Sequence, residues 1–129
     1  MKSILTVLLF CGLLIFSSFV RWPFGDVNDI TVVVDDTIDI GADLKEGFNY
    51  IDLDTDTNIL LTATSLRSSM EVGELLLIEA TESGYDADTI TYGTGITGLA
   101  DPIPSGKTRI ITFCYNGTTF QKVASTQID

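Results

Sequence analysis

The chain predicts an all-β fold: an antiparallel β-sandwich or jelly roll of about eight short strands, preceded by one N-terminal hydrophobic helix. Three observations predict it. From residue 27 onward the apolar residues come in runs of about four to eight, the length of strands. Between the runs stand turn formers, among them Asp35-Asp36, Glu46-Gly47, Ser83-Gly84 and Pro102 to Gly106. No stretch is long and amphipathic enough to provide the helices that cover a parallel sheet in α/β proteins.

The first element is SILTVLLFCGLLIFSSFV, residues 3–20, an uncharged run about 27 Å long if helical, close to one hydrocarbon thickness. Its ends place Phe16, Phe19 and Val20 where a signal-peptidase site wants small residues. A membrane anchor is therefore the first reading and a signal peptide the second. Trp22 suits the interface, WPFG ends any helix, and Lys2 keeps the N-terminus cytoplasmic while the acidic remainder crosses. The chain divides into a hydrophobic segment, residues 1–22, and one β domain, residues 23–129.

The strands follow in order as DITVVVDD, TIDI, GFNYIDLD, NILLTAT, LLLIEA, DTITYG, KTRIITFCY and TTFQKVA; only residues 65–73, SLRSSMEVG, could hold a helical turn. The last two strands form a hairpin. With Asn116-Gly117 as a two-residue type I′ turn, Tyr115 faces Thr118, followed by Cys114/Thr119, Phe113/Phe120, Thr112/Gln121, Ile111/Lys122 and Ile110/Val123. Period two then gathers Ile111, Phe113, Tyr115 and Phe120 on one core face and leaves Cys114 on the other.

Charge and rare residues narrow the function. The net charge is −11, and residues 22–129 carry five basic against 18 acidic side chains, so phosphate backbones are repelled and nucleic acid is not a partner. There is no histidine, which removes the usual general base, the Ser-His and Cys-His pairs and the commonest zinc ligand. Cys11 and Cys114 are read as reduced and structural.

Four motif matches dissolve on inspection. Ser105-Gly106-Lys107-Thr108 ends like a phosphate-binding loop, but Asp101 stands where its first glycine belongs and a strand follows instead of a helix. Gly93-Thr-Gly95-Ile-Thr-Gly98 spells the dinucleotide fingerprint, yet Leu99-Ala100-Asp101-Pro102 cannot open the required helix, so the glycines read as a bending loop with positive φ. Asp52, Asp54 and Asp56 open like a calcium loop, without the glycine at position six or the glutamate at position twelve; a weak calcium ion or a metal-dependent hydrolytic centre are the functional readings, a solvated strand face the plain one. Asp35-Asp36 and Asp86/Asp88 are read as solvated too. Asn116-Gly-Thr118 is an N-glycosylation sequon that the turn explains by itself. No catalytic, cofactor-binding or metal residue is assigned, and no small-molecule substrate.

The pieces Asp43-Leu44 with Gly47-Phe48, Gly73 with the strand 75–78, Thr89 to Gly93, and Phe113 to Phe120 resemble the small β-sandwich modules of bacteriophage virion proteins, of tail-fibre, head-fibre or capsid-decoration type. The resemblance spans residues 37–125 and rests on hydrophobic and turn positions. It implies a sandwich and a structural role without catalytic residues. The apolar N-terminus departs from such modules and points to a virus with a membrane, or to display on a cell.

The expected protein is therefore a non-enzymatic virion structural subunit (minor capsid, decoration or spike), membrane-associated through residues 3–20 and packed against other capsid subunits, including copies of itself. The alternative is a cell-surface or secreted binding module that meets glycan or protein through the loops at 84–88 and 93–104; Tyr85 and Tyr92 are the aromatics near them, and core packing is the equal alternative for either.

Overall fold

Alternation of side chains, in and out, organises each strand of the computed structural model, which describes residues 27–32, 35–66 and 70–129. In β3 (Phe48–Thr55) Asn49, Ile51, Leu53 and Thr55 are buried while Asp52 and Asp54 face water; β5 (Leu75–Glu82) buries Leu76, Ile78, Ala80 and Glu82. The other strands are β1 (Asn28–Ile30), β2 (Thr37–Asp39), β4 (Ile59–Thr62), β6 (Asp88–Tyr92), β7 (Ile96–Thr97), β8 (Asp101–Ile103), β9 (Thr108–Tyr115) and β10 (Phe120–Ile128). All ten are short to medium strands, and no helix occurs among the described residues.

Their order corrects the expected antiparallel sandwich. The first sheet runs β1-β3-β5-β9-β10-β7 and the second β2-β4-β6-β8. Strands β1, β3 and β5 pair in parallel, and so do β2, β4 and β6. The chain thus winds as a β-solenoid of about three coils, each giving one strand to either sheet. The expectation failed on one assumption: a parallel sheet needs its buried face covered, but the cover need not be helical. Here each sheet covers the other.

Winding stacks chemically alike residues at adjacent levels. Ile30, Ile51, Ile78 and Ile111 lie in one register row across the first sheet, and Ile59 stands beside Ile90 in the second. All six are buried in a single core with Leu53, Leu61, Leu76, Phe113 and Phe120. Burying such side chains stabilises the fold by about 1.5–3 kcal/mol each. Corners are met by glycine: Gly47 (φ 95°) precedes β3 and Gly73 (φ 99°) precedes β5, both in the left-handed region that side chains with a Cβ avoid.

Beyond the third coil the winding stops. Strand β8 turns back antiparallel to β6, β9 runs antiparallel to β5, and β10 returns along β9. The hairpin exists with a different register. Tyr115 faces Phe120 across a four-residue loop closed by Asn116 N–H to the Thr119 carbonyl (3.0 Å), and the Asn116 Oδ1 accepts from the Thr118 and Thr119 amides. The Tyr115/Thr118 and Phe113/Phe120 pairs are thereby displaced by two residues. A shift of two keeps each side chain on its own face, which is why Ile111, Phe113, Tyr115 and Phe120 are still buried together. A bulge between Lys122 and Ala124 leaves Val123 exposed.

The hydrophobic segment at 1–22, with its helix, anchor and signal-peptide readings, lies outside the described residues. No helix among those described is long and apolar enough to cross a membrane.

Candidate functional site

The carboxylates at 52, 54 and 56 do not converge. Asp52 and Asp54 stand on the outer face of β3 beside Glu79 and Thr81 of β5, while Asp56 sits at the corner between β3 and β4. No group of three His, Cys, Asp or Glu side chains among the described residues is arranged to hold a metal ion. The turn before β9 contains Gly106 with φ 68°, so the phosphate-loop mimic leads into a strand. In the 93–98 run only Gly95 has positive φ; Gly93 and Gly98 instead give room, since a Cβ would stand 2.8 Å from Thr62 Cγ2 in the first case and 2.8 Å from Lys122 Cβ in the second. Cys114 is free on the outer face of β9.

Two polar clusters that the sequence did not announce lie between the sheets. The first closes the seam where β8 of one sheet meets β9 and β10 of the other. Asp101 is buried there. It accepts hydrogen bonds from Tyr92 Oη (2.5 Å), Lys122 Nζ (2.8 Å) and Ser125 Oγ (2.6 Å), and Arg109 lies 3.7 Å away. Burial pushes the Asp101 carboxyl up, but the hydrogen bonds from Lys122, Ser125 and Tyr92 outweigh it and hold the group below the usual carboxylate range. Burial and the same carboxylate push the Tyr92 phenol far up. The Tyr92 ring packs edge-on to Phe113 at 5.1 Å with Lys122 over it at 5.5 Å. Every donor here has its acceptor within the chain apart from the Arg109 Nε, so this arrangement locks the seam. The Tyr92 hydroxyl and ring are thus both engaged in the seam.

The second cluster sits at the corner where coils two and three turn. Glu82, buried at the end of β5, accepts from Thr55 Oγ1 (3.2 Å) and from the Gly84 amide. Asp88, only 7 % exposed at the start of β6, is hydrogen-bonded to Glu82. Burial, that contact and the negative charges of Glu82, Asp56 and Asp86 push the Asp88 carboxyl up to about 6. The expectation of a solvated Asp88 is corrected: its alternation in β6 turns it inward.

Around this corner the loop before β6 carries Tyr85, exposed at 101 % of its reference area, with Asp86 beside it. On the far side of the seam, β10 is paired on its outer edge only at Phe120 and Gln121, by β7. Among the described residues nothing pairs with that edge from Lys122 to Ile128.

No family model matches the chain, and neither a curated protein nor a solved structure does.

Proposed function

We propose that the chain is a non-enzymatic structural subunit, of minor-capsid, decoration or spike type on a virion, that assembles with copies of itself or with neighbouring subunits through strand edges and associates with a membrane through residues 3–20. The observation that carries the assembly reading is the open edge of β10. Residues 124–127, beyond the bulge at Lys122/Ala124, hold no proline and no charge, two of the devices that normally blunt an edge. Of the two outer strands of the second sheet, β8 does carry one, Pro102. An edge left open past its bulge, on a strongly acidic subunit, fits a partner that adds a strand. The virion setting rests on the apolar run and on the resemblance of the strand and turn segments, and it is the outer layer of the proposal.

Native mass of the detergent-solubilised full chain tests the assembly: an oligomer that Thr126→Lys dissociates supports it, and a monomer at all concentrations refutes it. Fractionation of purified particles tests the setting. A protein absent from particles, or stripped from them by salt without detergent, defeats the anchored virion subunit.

A second reading has its own observation. Tyr85, wholly exposed beside Gly84 and Asp86, is the kind of platform that a surface or secreted module offers to a glycan or protein. Loss of ligand in Tyr85→Ala with unchanged oligomeric state would favour it.

A further inference from the structure

The loop between β5 and β6, residues 83–87, is gripped at both ends by a pair of acids. Glu82 closes β5 and Asp88 opens β6; both are buried, and their side chains are hydrogen-bonded to each other. Two carboxylates have no hydrogen to share, so this contact requires one proton. Thr55 Oγ1 and the Gly84 amide both donate to Glu82, which marks Glu82 as the acceptor and leaves the proton on Asp88.

Little else holds the loop. Ser83, Tyr85, Asp86 and Ala87 are exposed, so no side chain of the loop is anchored in the core. Its remaining ties are polar: the Ser83 amide donates to the Thr55 carbonyl at 3.4 Å, and Ser105 Oγ donates to the Gly84 carbonyl at 2.9 Å. A segment with so few buried apolar contacts opens without the rest of the fold.

The charges that face the pair have one sign. Asp56 from the corner between β3 and β4 and Asp86 from the loop itself join Glu82 in opposing an ionised Asp88, and β8 sets the uncharged Ile103 opposite it. The turn before β9 meets the pair through its backbone, the Glu82 amide donating to the Lys107 carbonyl at 3.0 Å, while the Lys107 ammonium is bridged to Asp129 at 3.1 Å. Among the described residues no cation is ion-paired with Glu82 or Asp88. Loss of the proton therefore sets two buried anions in contact without a compensating charge, and parting the ends of the loop relieves them.

We propose that Glu82 and Asp88 form a proton-operated latch, which holds loop 83–87 and Tyr85 at its tip in one position while the proton is shared and frees the loop when the proton leaves. The Asp88 carboxyl, pushed up to about 6, places the change between acidic and neutral pH. The latch acts whether or not Tyr85 meets a partner.

Hydrogen exchange at the Ser83 and Gly84 amides of the isotopically labelled full chain in detergent, followed by NMR and corrected for the intrinsic pH dependence of exchange, tests this. Protection should fall about tenfold between about pH 5 and about pH 8, the linkage expected of a carboxyl that moves from about 6 in the closed loop to its ordinary 3.8 in the open one. At every pH these two amides should exchange faster than those of β3 and β9, whose exchange needs the whole fold to open. Asp88→Asn, which donates to Glu82 with no proton to lose, should keep the loop equally protected across the range. Should that variant fail to fold, Glu82→Gln, which donates to an ionised Asp88, takes its place with the same flat profile. Protection at Ser83 and Gly84 that does not change with pH, an equal fall in the folded variant, or exchange there as slow as in β3 and β9 would each overturn the latch.

Discussion

Asn28 and Asn49 sit one above the other in successive coils, the Asn28 Nδ2 donating to the Asn49 Oδ1 at 2.8 Å. Asn49 is fully buried, and its amide also accepts from the Lys45 backbone N–H and donates to the Lys45 carbonyl, both at 2.8 Å. Asn28 in turn donates to the Asp43 carbonyl at 2.8 Å. The two side chains act as extra pieces of backbone that pin the loop between β2 and β3.

Substitution at position 49 separates this role from packing. The next coil carries Leu76 in the same row, so leucine fits the row by shape. It leaves the Lys45 amide and carbonyl without partners all the same. Asn49→Leu and Asn49→Ala should both lose roughly 3 kcal/mol in urea unfolding. A stable Asn49→Leu would mean that the loop is held by other contacts.

The buried pair at Glu82 and Asp88 sets a pH dependence. The folded state holds the Asp88 proton more tightly than the unfolded chain, since its carboxyl is raised from 3.8 to about 6. Stability from this group is therefore greatest in acid, falls as pH climbs from about 4 to about 6, and is level above that. Asp88→Asn should remove this slope and make the domain more stable than the parent at neutral pH, as thermal unfolding across the range will show. An unchanged slope in the variant would disprove the assignment. Asp101 runs the other way: its lowered carboxyl contributes stability at neutral pH that is lost below about pH 4.

At the seam, Asp101→Ala strands Lys122 and Arg109 between the sheets and should cost about 3–5 kcal/mol, the range for breaking a buried pair from one side. The same variant frees Tyr92, whose phenol should then titrate nearer its normal range in ultraviolet difference spectra. Hydrogen exchange should rise first in β8 and the last half of β10.

Gly95→Ala should prevent folding or lower the midpoint sharply, because φ is 82° there and a Cβ would run into the Ala63 carbonyl oxygen. Gly106→Ala, with nothing within 4 Å of its Cβ, bears only the backbone strain and should cost about 1 kcal/mol. Denaturant midpoints of the two variants measure the difference.

The longer strands and the core face of the final hairpin were legible because alternation is a local signal, readable in FNYIDLDT or TRIITFCY without knowing the partner strand, whereas the short β7 and β8 fell in segments read as loop and turn. Pairing direction was not. Parallel and antiparallel strands show the same period, and the coils are of unequal length: Asn28 to Asn49 is one repeat and Asn49 to Leu76 the next, so no fixed spacing betrays the winding. The buried acids were hidden for a related reason. Glu82 and Asp88 look like turn residues in sequence, and only the inward phase of β5 and β6 turns them to each other.

Because β9 opposes β5 while the coils before it all run one way, the molecule has a terminator at one end and a repeating ruler before it. A second copy of residues 48–74 spliced ahead of Leu75 keeps each new strand in phase with its neighbours, since Phe48 already lies level with Leu75. Such a chain should be longer by one 4.8 Å step at unchanged girth, which makes height in this architecture a quantity that duplication alone can set.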